Sequence, residues 1–261
     1  MVPMDTRRLA RPDCPRCHGK GRIKTGEGIT EWAVCPCAIA GQRLETAEKV
    51  IRVAFSSRAQ KMTFASFQTG DNVQNERALT VGKNFVDNWP RAVSQGWVLG
   101  FYGSPRAGKT HLAVAISQAC VRRFLIRPML LNLPKALRME RERYNNPTLL
   151  SPLQQAQEAD LLILDDLGAE YERQGDDPSR VSWLTEQLYI LLEERFQQNR
   201  PIIYTTNLTP SDMEKRYNNE AWRRVYARLE AAQVTPPMEI FRVPGVEIAD
   251  PEAKRLLFAT R

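Results

Sequence analysis

An apolar run, Trp97-Val98-Leu99-Gly100-Phe101-Tyr102, leads directly into Gly-Ser-Pro-Arg-Ala-Gly-Lys-Thr at residues 103–110. A strand that delivers a glycine-rich loop to the start of a helix is a phosphate-binding loop. Its helix contributes unpaired N–H groups and the positive end of a dipole. Gly103 and Gly108 let the backbone curl so that successive amide hydrogens point at phosphates. Gly103, Ser104, Pro105, Arg106, Ala107, Gly108, Lys109, Thr110 and His111 are therefore the candidate nucleotide-binding residues. Lys109 is placed to reach the β and γ phosphates of ATP, and the Thr110 hydroxyl to hold Mg2+. From His111 to Arg123 the pattern is helical, with Leu112, Ala115, Ile116, Cys120 and Phe124 on one side. That position makes Cys120 a core thiol rather than a reactive one.

A magnesium-nucleotide site also needs an acid at the end of a buried strand. Leu161-Leu162-Ile163-Leu164 followed by Asp165-Asp166 supplies it. Asp165 is the magnesium-side carboxylate, and Asp166 is placed to orient or deprotonate the attacking water. Many related ATPases carry Glu at the second position. The shorter aspartate implies slow or partner-stimulated hydrolysis. Pro201–Thr205 reads as a further strand, and Asn207 behind it would project between the acidic strand and the γ phosphate. Thr209-Pro210-Ser211-Asp212 then has the pattern of a helix start, with a hydroxyl cap, Pro in the first position and an acid in the third.

Four of the five cysteines, Cys14, Cys17, Cys35 and Cys37, crowd into the N-terminal end. With no secretory signal, thiols stay reduced, so a zinc site of four cysteines is the better reading than two disulfides. Gly19 and Gly21 permit tight turns that aim amide hydrogens at the sulfurs. Cys-x-Cys is a rarer pair than Cys-x-x-Cys, so His18 stands as an alternative ligand. The same end is basic: residues 1–60 hold eleven Lys and Arg against six Asp and Glu, whereas the rest of the chain is nearly balanced. Four thiolates on Zn2+ leave net −2, which lowers the excess to about +3. No stretch approaches the roughly 18 apolar residues of a membrane span, and Met1–Pro12 lacks a leader pattern. These features point to a cytoplasmic protein with no membrane partner.

Arg43–Gln60 reads as a helix. Residues 61–75 read as a linker whose Phe64 and Phe67 dock on a neighbouring surface, and Glu76–Trp89 as a helix stopped by Pro90. Late in the chain, Glu220–Glu230 carries Arg223, Arg224 and Arg228 among apolar residues. Arg228 is placed either as a finger into a neighbouring subunit's nucleotide or on a solvated face. The fold expected is α/β: a parallel sheet flanked by helices, with a small N-terminal zinc-binding unit. The division is 1–60 for the zinc-binding domain and helix, 61–75 for the linker and 76–261 for the ATPase domain.

The motif order Gly-Ser-Pro-Arg-Ala-Gly-Lys-Thr-His-Leu, Leu-Leu-Ile-Leu-Asp-Asp-Leu-Gly-Ala-Glu, Ile-Ile-Tyr-Thr-Thr-Asn-Leu and Arg-Val-Tyr-Ala-Arg-Leu resembles, across roughly residues 60–245, the AAA+ ATPases of the DnaC and DnaI helicase-loader group and the related IstB transposition ATPases. The resemblance implies that Asn207 is the first sensor and Arg228 a trans-acting arginine at a self-association interface. It implies that Leu133–Ala159 carries an extra helix lining a DNA path, with Arg138, Arg141 and Arg143 as candidates. Their neighbours Glu140 and Glu142 leave a mixed-charge solvated helix as the alternative. No lid domain with a second sensor follows Arg228; Met238–Val243 as a strand and Pro251–Phe258 as a helix remain. A zinc-bearing N-terminus is similar to the DnaI side, where that domain contacts the replicative helicase. The competing arrangement puts the basic zinc domain on DNA. The function implied is ATP-dependent loading of a hexameric replicative helicase onto single-stranded DNA. The alternatives are an IstB-like ATPase that binds DNA and recruits a transposase, and a zinc-containing interaction module that uses nucleotide as a switch.

Overall fold

In the computed structural model, residues 5–26, 32–146, 150–169, 178–216 and 235–241 are described. A turn of helix (α1, Thr6–Leu9) and an antiparallel ribbon (β1, Arg22–Lys24; β2, Trp32–Val34) precede α2 (Pro36–Ala54). Pro36 starts α2 with φ already set for a helix, so the helix begins earlier than hydrophobic spacing suggests. It also ends earlier, because Ser56 is extended and caps α3 (Ser57–Gln60) by accepting from Ala59 N.

Asn72 caps α4 (Val73–Asp87) through bonds from Gln74 N and Asn75 N. Pro90 does not stop that helix. The break falls at Asn88, and Pro90 lies in the first turn of α5 (Trp89–Gln95), where its missing N–H has no partner to lose. There follow β3 (Val98–Tyr102), α6 (Lys109–Phe124), β4 (Pro128–Asn132), α7 (Leu133–Asn145), α8 (Pro152–Glu158) and β5 (Leu161–Leu167). The chain continues through α9 (Pro178–Gln197), β6 (Ile202–Thr206), α10 (Pro210–Arg216) and β7 (Met238–Glu239). Thr209 caps α10 as its sequence suggests, exchanging bonds with Asp212.

The five strands β3–β7 form one parallel sheet in the order β4-β5-β6-β3-β7. Period-two alternation decides which layer each strand residue enters. Leu99, Phe101, Leu161, Ile163 and Ile203 pack toward α2, α4 and α6. Val98, Leu162, Leu164, Ile202 and Tyr204 pack toward α7, α8 and α9. With both faces covered, the central strands read as unbroken apolar runs. Because β6 lies between β3 and β5, the phosphate loop, the acid pair and Asn207 all emerge at the carboxyl edge, where open α/β sheets bind ligands.

The N-terminal end has its own small core of Cys14, Cys17 and Cys35 with Ala10, Ile23 and Cys37. α2 joins it to the sheet: Cys37 lies at its start, whereas Ala47, Ile51 and the following Phe55 are buried with α6. Gln118 on α6 fixes the next turn by donating to the carbonyls of Ala59, Gln60 and Met62 at 2.9, 3.3 and 2.9 Å.

On the other layer Arg195 is fully buried near the end of α9. Its Nη1 donates to the carbonyls of Ala156 and Ala159 at 2.5 and 2.8 Å, and its Nη2 to that of Pro201 at 2.7 Å. It thereby satisfies carbonyls at the end of α8 and holds the entry to β6. Burial, helped by Arg200 and opposed by Asp160, lowers its pKa to about 9, so it stays cationic at pH 7. Arg195→Ala would strand these buried carbonyls at a cost of roughly 3 kcal/mol. Urea unfolding should show that loss, with Arg195→Lys recovering only part of it because an ammonium lacks the planar fork.

Candidate functional site

Gly103 and Gly108 adopt φ of 140° and 106°, which side chains disfavour. A Cβ at Gly103 would lie 2.3 Å from Ile240 O, so the loop closes against the chain just after β7 only because no side chain is there. Lys109, at the first position of α6, is buried, and its Nζ donates to Gly103 O, Ser104 O and Asn207 Oδ1, each at 2.9 Å. Burial lowers its pKa, while Asp166 and Asp165 act to raise it. The sensor candidate and the loop lysine, 98 residues apart in sequence, are thus in contact.

Thr110 Oγ1 donates to Asp165 Oδ1 at 2.7 Å. Adjacent ligands of an octahedral magnesium at about 2.1 Å lie about 3 Å apart, so these two oxygens suit one ion. Thr205 Oγ1, buried on β6, donates to the same Asp165 oxygen at 2.8 Å and accepts from Asp166 N at 3.1 Å. The β5–β6 register shifts between Leu164 and Leu167, and Asp166 takes φ of 59° there. In a regular strand the two acids would face opposite sides of the sheet. At this bulge both serve one site: Asp165 meets Thr110, and Asp166 lines the nucleotide pocket.

That pocket, about 400 Å³, is lined by the phosphate loop, by Arg58, Met62, Ser66, Phe67 and Gln68, and by Asp166 and Asn207. The stretch read as a linker is therefore a wall of the site. Phe67 packs edge-on against His111 with ring centroids 5.5 Å apart. His111 Nε2 lies 3.0 Å from Thr63 O, which requires the Nε2–H tautomer, and 3.2 Å from Ser66 Oγ. Burial lowers the His111 pKa. The wall residues and the role of Thr205 escaped the sequence; the sole signal was a pair of aromatics in a polar stretch.

At the N-terminal end the Sγ atoms of Cys14, Cys17, Cys35 and Cys37 all lie within 4.8 Å of one another, with Cys14–Cys35 at 3.8 Å and Cys17–Cys37 at 3.5 Å. The edge of a tetrahedron with Zn–S of about 2.3 Å is about 3.8 Å, so the set fits zinc. None of the four forms a disulfide, and His18 lies outside the group, exposed with φ of 46°. Backbone N–H groups of Cys17 and Arg16 lower the Cys14 thiol to about 6, whereas burial and the neighbouring thiols push Cys37 up to about 12. A divalent cation among them removes this competition for negative charge. Cys120 is buried in the core with its thiol pushed up to about 12 by burial, in line with a packing role.

On α7, Arg138 pairs with Glu142 at 3.9 Å, Arg143 with Glu140 at 2.6 Å, and Arg141 stacks over the Trp183 ring at 5.4 Å. This is the mixed-charge helix, with its three arginines already engaged. Arg228, with Arg223, Arg224 and the helix expected at Glu220–Glu230, lies outside the described residues, as does the expected helix Pro251–Phe258; the strand expected at Met238–Val243 spans only Met238–Glu239 among the described residues.

A phosphate loop after β3, an acidic strand β5 and, between them in the sheet, β6 leading to Asn207 define a P-loop ATPase fold of the AAA+ class. The model of the IstB-like ATP binding protein family matches residues 90–223, just over half of the chain, and the chain belongs to that family. It is 24% identical over 203 residues to the phage-like element PBSX protein XkdC of Bacillus subtilis (strain 168), covering 77% of this chain and 73% of that protein. Among solved structures it is similar to the DnaC helicase loader, with 24% identity, a TM-score of 0.57 and coverage of 71% of this chain and 99% of that one. It is also similar to DnaI, with 21% identity, a TM-score of 0.58 and coverage of 72% and 95%.

Two measurements follow from the geometry. Protein purified without added metal should contain one zinc per chain, and Cys35→Ser should abolish it and unfold the ribbon while leaving the sheet folded. Asp and Asn tolerate positive φ far better than Glu. Asp166→Asn should therefore unfold like the wild type in urea, whereas Asp166→Glu should lose about 1 kcal/mol.

Proposed function

We propose that this chain is an ATP-dependent loader that places a hexameric replicative helicase on single-stranded DNA. The observation that carries the reading is the pairing of a AAA+ core, similar over nearly the whole of the DnaC helicase loader chain, with a four-thiol unit joined to it through α2. In this reading residues 1–60 are the zinc-bearing unit, 61–75 the connecting wall and 76–261 the ATPase unit, and the protein acts in the cytoplasm. No helix among the described residues is long and apolar enough to cross a membrane.

Residues 103–111 cradle the nucleotide, and Lys109 exchanges its carbonyl acceptors for β and γ phosphate oxygens. Thr110 and Asp165 would hold Mg2+, and the chemistry it would supply there is neutralisation of phosphate charge. Asp166 orients the attacking water. Asn207, released by Lys109, meets the γ phosphate, and Arg228 stabilises the transition state in a neighbouring subunit. A site completed only between subunits ties hydrolysis to assembly.

The family match favours a second reading, an ATPase that coats duplex DNA and recruits a transposase. Size-exclusion chromatography with hexameric helicases, with and without ATP, separates the two. Co-elution that depends on ATP and is lost in Lys109→Ala is the expected result. Filaments on duplex DNA with no helicase complex would favour the transposition reading instead.

A further inference from the structure

Several exposed cations among the described residues are already engaged. On α7 Arg138, Arg141 and Arg143 are engaged by Glu142, Trp183 and Glu140, and Arg8, Lys49, Arg122, Arg123 and Arg127 also pair with carboxylates. Arg7, Lys20, Arg22 and Lys24 have no ion pair among the described residues and are exposed. These four gather on the outer side of the zinc-bearing unit. Arg22 and Lys24 share one face of β1, and Lys24 pairs across the ribbon with Trp32, which is 52% exposed. Ile23, facing the other way, packs on the cysteine cluster and fixes which face is outward. Beside the ribbon, Arg7, Lys20, Arg22 and Trp32 line a depression of about 470 Å³ with Asp5 and Thr6. Asp5, its one acid, caps α1 by accepting from Arg8 N at 3.2 Å.

We infer that this ribbon face is a binding surface for single-stranded DNA, its cations on the phosphates and Trp32 stacked on a base. Charge complementarity selects a polyanion. The exposed indole among the cations selects a strand whose bases are free to stack, because duplex bases present no face. The inference rests on the proposed action on single-stranded DNA and assigns that contact to the zinc-bearing unit rather than to α7.

The test uses the full zinc-loaded chain without helicase, a fluorescein-labelled oligothymidine of about 20 nucleotides, and anisotropy over a range of salt. Arg22→Gln with Lys24→Gln should weaken binding and flatten the plot of log affinity against log salt by about 1.4, the share of two single-strand phosphate contacts. Trp32→Ala should weaken binding about tenfold, and Trp32→Phe should keep most of it. Arg138→Gln with Arg141→Gln should change nothing. Metal content and circular dichroism should be unaltered in every variant. Unchanged affinity in the ribbon variants, no binding by the wild type, or equal losses on a duplex of the same length would each overturn the inference. Unchanged DNA affinity with loss of helicase co-elution would make this face a protein dock and overturn it while sparing the loader reading. Loss of DNA affinity in a chain that binds no helicase would support it and sink the loader reading alone.

Discussion

The Thr205 hydroxyl carries the geometry of the sheet's carboxyl edge. An extra residue in β5 breaks its ladder with β6 and would leave the N–H of Asp166 without a partner, at a cost of about 1–3 kcal/mol. Thr205 Oγ1 accepts that N–H and gives its own hydrogen to Asp165. One buried group thus anchors both acids and stabilises the bulge that lets two consecutive residues serve one side of the sheet. The left-handed backbone at Asp166 also supplies a reason for aspartate where glutamate is frequent: a carboxylate on a short, Asn-like side chain accepts φ of 59°.

What could be read from the sequence follows from how local each signal is. The phosphate loop, the strands before and after it in the site and the Thr209 cap are set by neighbours in the chain; β3 and β6 lie within a residue of their expected bounds, whereas β5 runs through the acid pair to Leu167. The four cysteines were legible because metal chemistry fixes their spacing, although the sequence alone left His18 in contention. Pro90 was misread because proline ends one helix and begins another with equal ease, and only the break at Asn88 tells which. The bulge at Asp166 depends on a register between strands, and the wall at residues 58–68 on a fold that brings a polar stretch against α6. Neither leaves a period in the sequence.

That wall explains how the two ends of the molecule are joined. Gln118 holds the carbonyls of Ala59, Gln60 and Met62, and His111 contacts Thr63 and Ser66, so α6 grips the segment at two points about two turns apart. The same α6 begins at Lys109 and packs against the buried face of α2. The cysteine cluster at the head of α2 is therefore separated from the phosphate loop by two packed helices rather than by a free tether.

Charge follows this architecture. Where α7 lies beside β4 and β5, its arginines sit within reach of acids on their own helix, and three- and four-residue spacings spend their fields locally. Among the described residues Arg22 and Lys24 have no ion pair: strand alternation sends Ile23 inward and leaves the two cations outward, with Trp32 across from Lys24. A cation whose field is already compensated adds little to long-range attraction, whereas uncompensated ones gathered on one face add their fields. The modest net charge of the whole chain therefore understates the ribbon face. The small four-cysteine unit presents the more strongly cationic surface.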